Sequence, residues 1–152
     1  MLFYYLQTLY IRIFVNKNYK NNNTNYYVLE MDFSNSMFKN SFKYEILSQG
    51  EKMIIDDEIK ISEREIEVKL NSRFEDTYVI FEDIIRMMIK YDHPNCLYNM
   101  KVFDDNNLIV SVGHNRVKYL ERHTRKAFEK LMSYNIDLNS PFKIRVNVIK
   151  HT

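Results

Sequence analysis

A chain of 152 residues has room for one ordinary domain, or one domain with an appendage, and can bury a core without covalent staples. Its formal net charge of +2 does not announce a polyanion-binding protein, so any such function must rest on where the charges sit rather than on their sum. The single cysteine, Cys96, excludes an internal disulfide framework and suits a reducing compartment.

Residues 1–15, MLFYYLQTLYIRIFV, form an aromatic, apolar run broken by Arg12. The run is shorter than the roughly 20 residues of a membrane span. It also lacks the positive start and small-residue cleavage site of a secretion signal, so no membrane is expected as a partner. Together with the Asn-rich NKNYKNNNTN behind it, it reads as an N-terminal extension over residues 1–30 joined by a flexible linker, and Met31 offers a second start. Residues 31–65 read as a polar, acidic lead-in with a short strand around Met53 to Ile55. The adjacent carboxylates Asp56, Asp57 and Glu58 have no spaced ligands or histidine beside them and read as solvated charge, so no metal or cofactor is expected.

From Ile66 to the end, residues 66–152, the pattern is that of a folded domain. IEVKL alternates apolar and polar residues at the period of a half-buried strand. RFED then leads into a helix, with Asp76 or Thr77 placed to cap its free amides. Phe81, Ile84, Ile85, Met88 and Ile89 make one apolar stripe on that helix, with Glu82, Asp83, Arg86 and Lys90 facing away. Pro94 in YDHPNC ends it. His93 and Cys96 in that segment are only half of the ligand set of a structural zinc site and read as a loop histidine and a buried thiol. LYNMKVF and LIVSV flank the turn sequence DDNN and should pair as a hairpin. A second helix follows GHN, with Asn115 as its cap, and a last strand, FKIRVNVI, follows NSP. The order β-α-β-β-α-β predicts an α+β fold in which two helices pack on one face of a small mixed or antiparallel sheet.

The second helix carries the most informative pattern. On a wheel of 100° per residue, Val117, Leu120, Thr124, Ala127, Phe128 and Leu131 gather on one side. Lys118, Arg122, Arg125 and Lys126 gather on the other, with Lys130 at the margin. His114 and Arg116 stand at its first turn, where free amides and the helix dipole favour a phosphate. Glu121 and Glu129 dilute the charge, and Glu129 can pair with Arg125 or Lys126 across one turn. The wheel alone leaves two readings open, a phosphate-binding face and an ordinary solvated one. Charge is also segregated along the chain: residues 45–83 carry seven more acids than bases and 84–152 six more bases than acids. There is no Gly-rich phosphate loop and no H-E-x-x-H, and the four histidines (93, 114, 123 and 151) have no motif spacing. No enzymatic activity and no small-molecule substrate are expected.

IEVKLNSRFEDTYVIFEDIIRMMI, the hairpin, NRVKYLERHTRKAFEKL and FKIRVNV resemble, in order and spacing, the eukaryotic-type ribosomal protein L twenty-two family of the large ribosomal subunit. Tyr119, Leu120, Thr124, Arg125, Lys126, Phe128 and Lys130 match that family's second helix, Glu75 and Asp76 its acidic turn, and Arg145 and Val146 its last strand. The resemblance spans residues 66–148, and departs from the family at Glu121, Glu129 and Val117. It implies a non-enzymatic constituent of the large subunit, cytoplasmic and ribosome-bound, with ribosomal RNA and neighbouring large-subunit proteins as partners. Carried over by position, Lys118, Arg125, Lys126 and Lys130 would face RNA. The wheel adds Arg122, the helix start adds Arg116, and the strand match adds Arg145. The alternative is a non-ribosomal protein-interaction module, tethered by the N-terminal apolar segment.

Overall fold

The computed structural model describes residues 11–16, 27–33, 40–55, 58–89 and 96–151. Among them, strands β1 (Ile11–Asn16), β2 (Tyr27–Phe33), β3 (Tyr44–Ile55), β4 (Ile59–Leu70), β5 (Leu97–Asp104), β6 (Asn107–Arg116) and β7 (Phe142–His151) form one sheet in the order β1-β2-β3-β4-β7-β5-β6. Every neighbouring pair is antiparallel. Helix α1 (Thr77–Ile89) joins β4 to β5, and helix α2 (Leu120–Ser133) joins β6 to β7. Helix α1 crosses over β7 and helix α2 over β5, and both pack on the same face. The expected order from β4 to β7 and the α+β class are therefore present, on a sheet widened by β1, β2 and β3.

The core follows from period-two burial in the strands and period-3.6 burial in the helices. Ile66, Ile144, Val102 and Val110 stand opposite one another across β4, β7, β5 and β6, each at most 3% exposed. The α1 residues Ile80, Phe81, Ile84, Ile85, Met88 and Ile89 are buried in the same cluster with Leu120, Ala127 and Leu131 of α2. Each large side chain so buried contributes about 1.5–3 kcal/mol relative to exposure. The Tyr78 ring meets Phe128 edge-on at 5.3 Å, and Phe81 meets the same ring at 5.7 Å, which ties the start of α1 to the later turns of α2.

The elements end for local reasons. Asp76 caps α1, its Oδ1 accepting from the Tyr78 amide at 2.8 Å. The Arg64 guanidinium donates to the Met88 carbonyl at the other end, where a cation also meets the negative end of the dipole. Asp105 and Asn106 both take positive φ, 48° and 65°, in the two-residue turn between β5 and β6, as a tight hairpin requires. Asn135 (φ 56°) turns the chain out of α2, and the Ile136 amide bonds back to the Leu131 carbonyl at 3.3 Å.

Two expectations are corrected. The strand expected only around Met53 to Ile55 is twelve residues long and pairs along β4, which starts at Ile59 rather than Ile66. Glu58 lies in the connection between them; Asp56, Asp57, His93 and the Asn-rich stretch beyond Asn16 are outside the described residues. Asn115 is not a helix cap. It sits in β6, its side chain donating to the Gly113 carbonyl at 2.7 Å, and a 3-10 turn over Val117–Tyr119 separates it from α2, which starts without a side-chain cap.

Thr124 faces the core from α2 at 1% exposure, and its hydroxyl has no hydrogen-bond partner among the described residues. A buried, unsatisfied hydroxyl costs about 1–3 kcal/mol, while valine fills the same space without one. Thr124→Val should raise the unfolding free energy in urea by on the order of 1 kcal/mol. A loss of stability instead would show that the hydroxyl is satisfied in solution.

Candidate nucleic-acid interface

The α2 wheel is realised in space. Leu120, Thr124, Ala127 and Leu131 are buried against the sheet, and Phe128 packs beside them. Arg122, Arg125, Lys126 and Lys130 are exposed on the outer side, and Lys118, in the preceding 3-10 turn, is exposed ahead of them. From Lys118 to Lys130 the row runs about 18 Å at the helical rise of 1.5 Å per residue. Arg116 is exposed at the end of β6, in extended backbone, so it extends the row from a strand and not from the first helical turn. His114 contributes backbone alone to what is described.

What holds these cations matters as much as where they point. The Arg125 guanidinium lies over the Tyr78 ring, 4.5 Å from its centroid. The Lys118 ammonium is 4.9 Å, and the Arg122 guanidinium 5.9 Å, from the centroid of Tyr119. Such cation–π contacts orient a charge without neutralising it. Tyr119 and Tyr78 are thus part of the arrangement, though the charge pattern gave no signal for them. The expected ion pair from Glu129 to Arg125 or Lys126 does not form. Among the described residues none of Arg116, Lys118, Arg122, Arg125, Lys126 and Lys130 is ion-paired, and Glu121 turns toward Arg86 at 3.9 Å.

Arg145 is elsewhere. On β7 it alternates with the buried Ile144 and Val146, so it points from the sheet face opposite the helices. There it bonds Glu65 at 3.2 Å, approaches Glu63 at 3.9 Å, and lies 4.9 Å from the Phe103 ring centroid. It is not part of the α2 row, and two carboxylates already balance it.

His123 borders the cationic row, its Nδ1 2.9 Å from the Tyr98 hydroxyl. Burial pushes Tyr98 up to about 12, so this phenol stays protonated and donates to an imidazole that accepts at Nδ1. Burial, then the charges of Lys126 and Arg122, hold His123 below its ordinary 6.5. The imidazole is therefore neutral at pH 7, and the row gains no charge from it. With the folded pKa lowered, the unfolded chain binds the proton more readily. The contribution of His123 to stability should be constant above about pH 7 and fall as pH drops below 6.5. Proton NMR of His123 should show a midpoint under 6.5 that rises in Lys126→Gln; a midpoint at or above 6.5 in the parent chain would contradict the burial and the two cations as its determinants.

Among the described residues no three His, Cys, Asp or Glu side chains come together to hold a metal ion, and no helix is long and apolar enough to cross a membrane. No family model, no curated protein and no solved structure matches the chain at a significant level.

Proposed function

We propose that this protein is a structural RNA-binding protein, a constituent of the large ribosomal subunit, held to ribosomal RNA by the outer face of α2. The observation that supports this reading is the row of exposed cations from Lys118 to Lys130, none of them in an ion pair with a described carboxylate. In this reading the sheet and α1 are scaffold, and guanidinium and ammonium groups meet the phosphates of a folded RNA. Recognition is by shape and backbone, because the deep, narrow major groove of A-form RNA hides its base edges. With about four to six phosphates contacted, log affinity against log salt has a slope near −3 to −5. The test is sucrose-gradient sedimentation of tagged protein from lysate, at low and moderate salt and after subunit dissociation. Co-migration with the large subunit that survives moderate salt is the expected result. A protein that stays at the top of the gradient at every salt concentration overturns the ribosomal assignment.

A further inference from the structure

At the end of the molecule where α2 terminates, three loops far apart in sequence are bonded into one cleft of about 450 Å³. The Asn71 amide bonds the Lys43 carbonyl at 2.8 Å, and the Leu70 amide bonds the Leu138 carbonyl at 2.7 Å. Two phenylalanines line the cleft in the open, Phe42 at 76% and Phe74 at 59% exposure, their ring centroids 5.9 Å apart. Exposed rings held side by side by a bonded framework offer a stacking surface to a flat partner.

The polar groups around the rings say what kind of partner. Asn139 accepts at Oδ1 from both the Ser72 amide and the Ser72 hydroxyl, each at 3.2 Å, and Asn71 accepts at Oδ1 from the Arg73 amide at 3.2 Å. Each carboxamide oxygen is thereby engaged, and each Nδ2 bonds no described residue, leaving two donors beside the rings. Glu45, the one carboxylate of the lining, is balanced by Lys69 at 3.1 Å. Arg73 is then a cation with no described ion-pair partner. Flat apolar rings, spare donors and a net positive charge together fit an aromatic ligand rich in acceptors and tied to an anion.

We infer that this cleft, built on Phe42, Phe74, Asn71, Arg73 and Asn139, takes an extruded nucleobase of the bound RNA, with Arg73 on the adjoining phosphate. The inference rests on the RNA-binding reading of α2. The chain links the two: the loop leaving α2 carries Asn139 into the cleft, and Tyr78, beneath Arg125, is four residues along the sequence from Phe74. Stacking supplies the affinity, and because every base has a π-face, the site prefers unpaired nucleotides over a particular sequence.

The test compares two RNA hairpins by fluorescence anisotropy with the full chain, one fully paired and one carrying a single extruded adenine. One base stacked on aromatic rings is worth roughly 5- to 150-fold, so the bulged hairpin should bind more tightly by a factor in that range. Phe42→Ala with Phe74→Ala should erase the difference and leave the affinity for the paired hairpin as it was. Asn139→Asp keeps the acceptor that Ser72 uses and replaces the spare donor with an anion; it should weaken the bulged hairpin alone. Equal binding of the two hairpins by the parent chain, binding of neither, or a preference that survives these variants overturns the inference. The α2 reading fails by a separate sign, unchanged affinity for the paired hairpin in Arg125→Glu with Lys126→Glu.

Discussion

Replacing Arg125 and Lys126 together by glutamate is expected to weaken binding to a paired RNA by about 10- to 100-fold near 0.1 M salt. It should also flatten the log–log salt slope by roughly 1.5, two contacts at 0.7 to 0.9 each. The size of the effect follows from the placement of the two side chains. Both are exposed on the outer face of α2, neither is ion-paired with a described carboxylate, and the Tyr78 ring holds Arg125 in place without cancelling its charge. The reversal at position 125 also sets a glutamate in line with Glu121 and Glu129 at i±4, which costs a few tenths of a kcal/mol per pair in helix stability. Arg125→Gln with Lys126→Gln separates the two effects, since it removes the contacts without adding like charges. Arg145→Gln is the internal comparison: its guanidinium lies on the opposite sheet face between Glu63 and Glu65 and should leave the slope unchanged. A slope that is the same in the parent and in both double variants would remove α2 from the RNA interface.

The contrast between α2 and β7 shows what a one-dimensional pattern carries. The cationic side of α2 was legible because its apolar residues recur at the helical period, and the complementary side must then face water. The position of Arg145 was legible in the same way. In FKIRVNV it alternates with Phe142, Ile144 and Val146, all buried, so period two already sets it away from the helices; likeness of residue type drew it into the site. The early part of β4 and the whole of β3 were hidden by their own chemistry. On the helix-facing side of β4, Ser62 and Arg64 occupy places where alternation leads one to expect apolar residues, and on β3 Glu51 stands opposite Arg64. The register of β3 also slips between Ile46 and Ser48, which breaks the period-two signal where it would otherwise be strongest. The Phe42 and Phe74 cleft could not be read at all from local pattern, because pairing of Tyr44 with Leu70 is what brings those two loops together.

That same polar cluster carries the largest expected effect on stability: Arg64→Met should destabilise the fold by about 3–5 kcal/mol, read from urea unfolding. Arg64 is 13% and Glu51 8% exposed in the side chain, with the guanidinium Nε 3.6 Å from a Glu51 carboxylate oxygen. The Ser62 hydroxyl donates to that oxygen at 2.9 Å, and the guanidinium also donates to the Met88 carbonyl at the end of α1. Methionine conserves the volume of the stem but removes both functions. It leaves a carboxylate in the interior with one neutral donor, and it leaves a terminal carbonyl of α1 without its cation. The destabilisation thus arises from a stranded charge more than from a lost contact, and that distinction can be measured. In the Arg64→Met background, Glu51→Leu removes the stranded carboxylate and should restore most of the lost stability, since a buried ion pair replaced by apolar side chains of similar volume is often neutral or better. Additive losses in the double variant would mean that each residue stabilises the fold through separate packing, and that the pair is not what anchors the C-terminal end of α1 to the sheet.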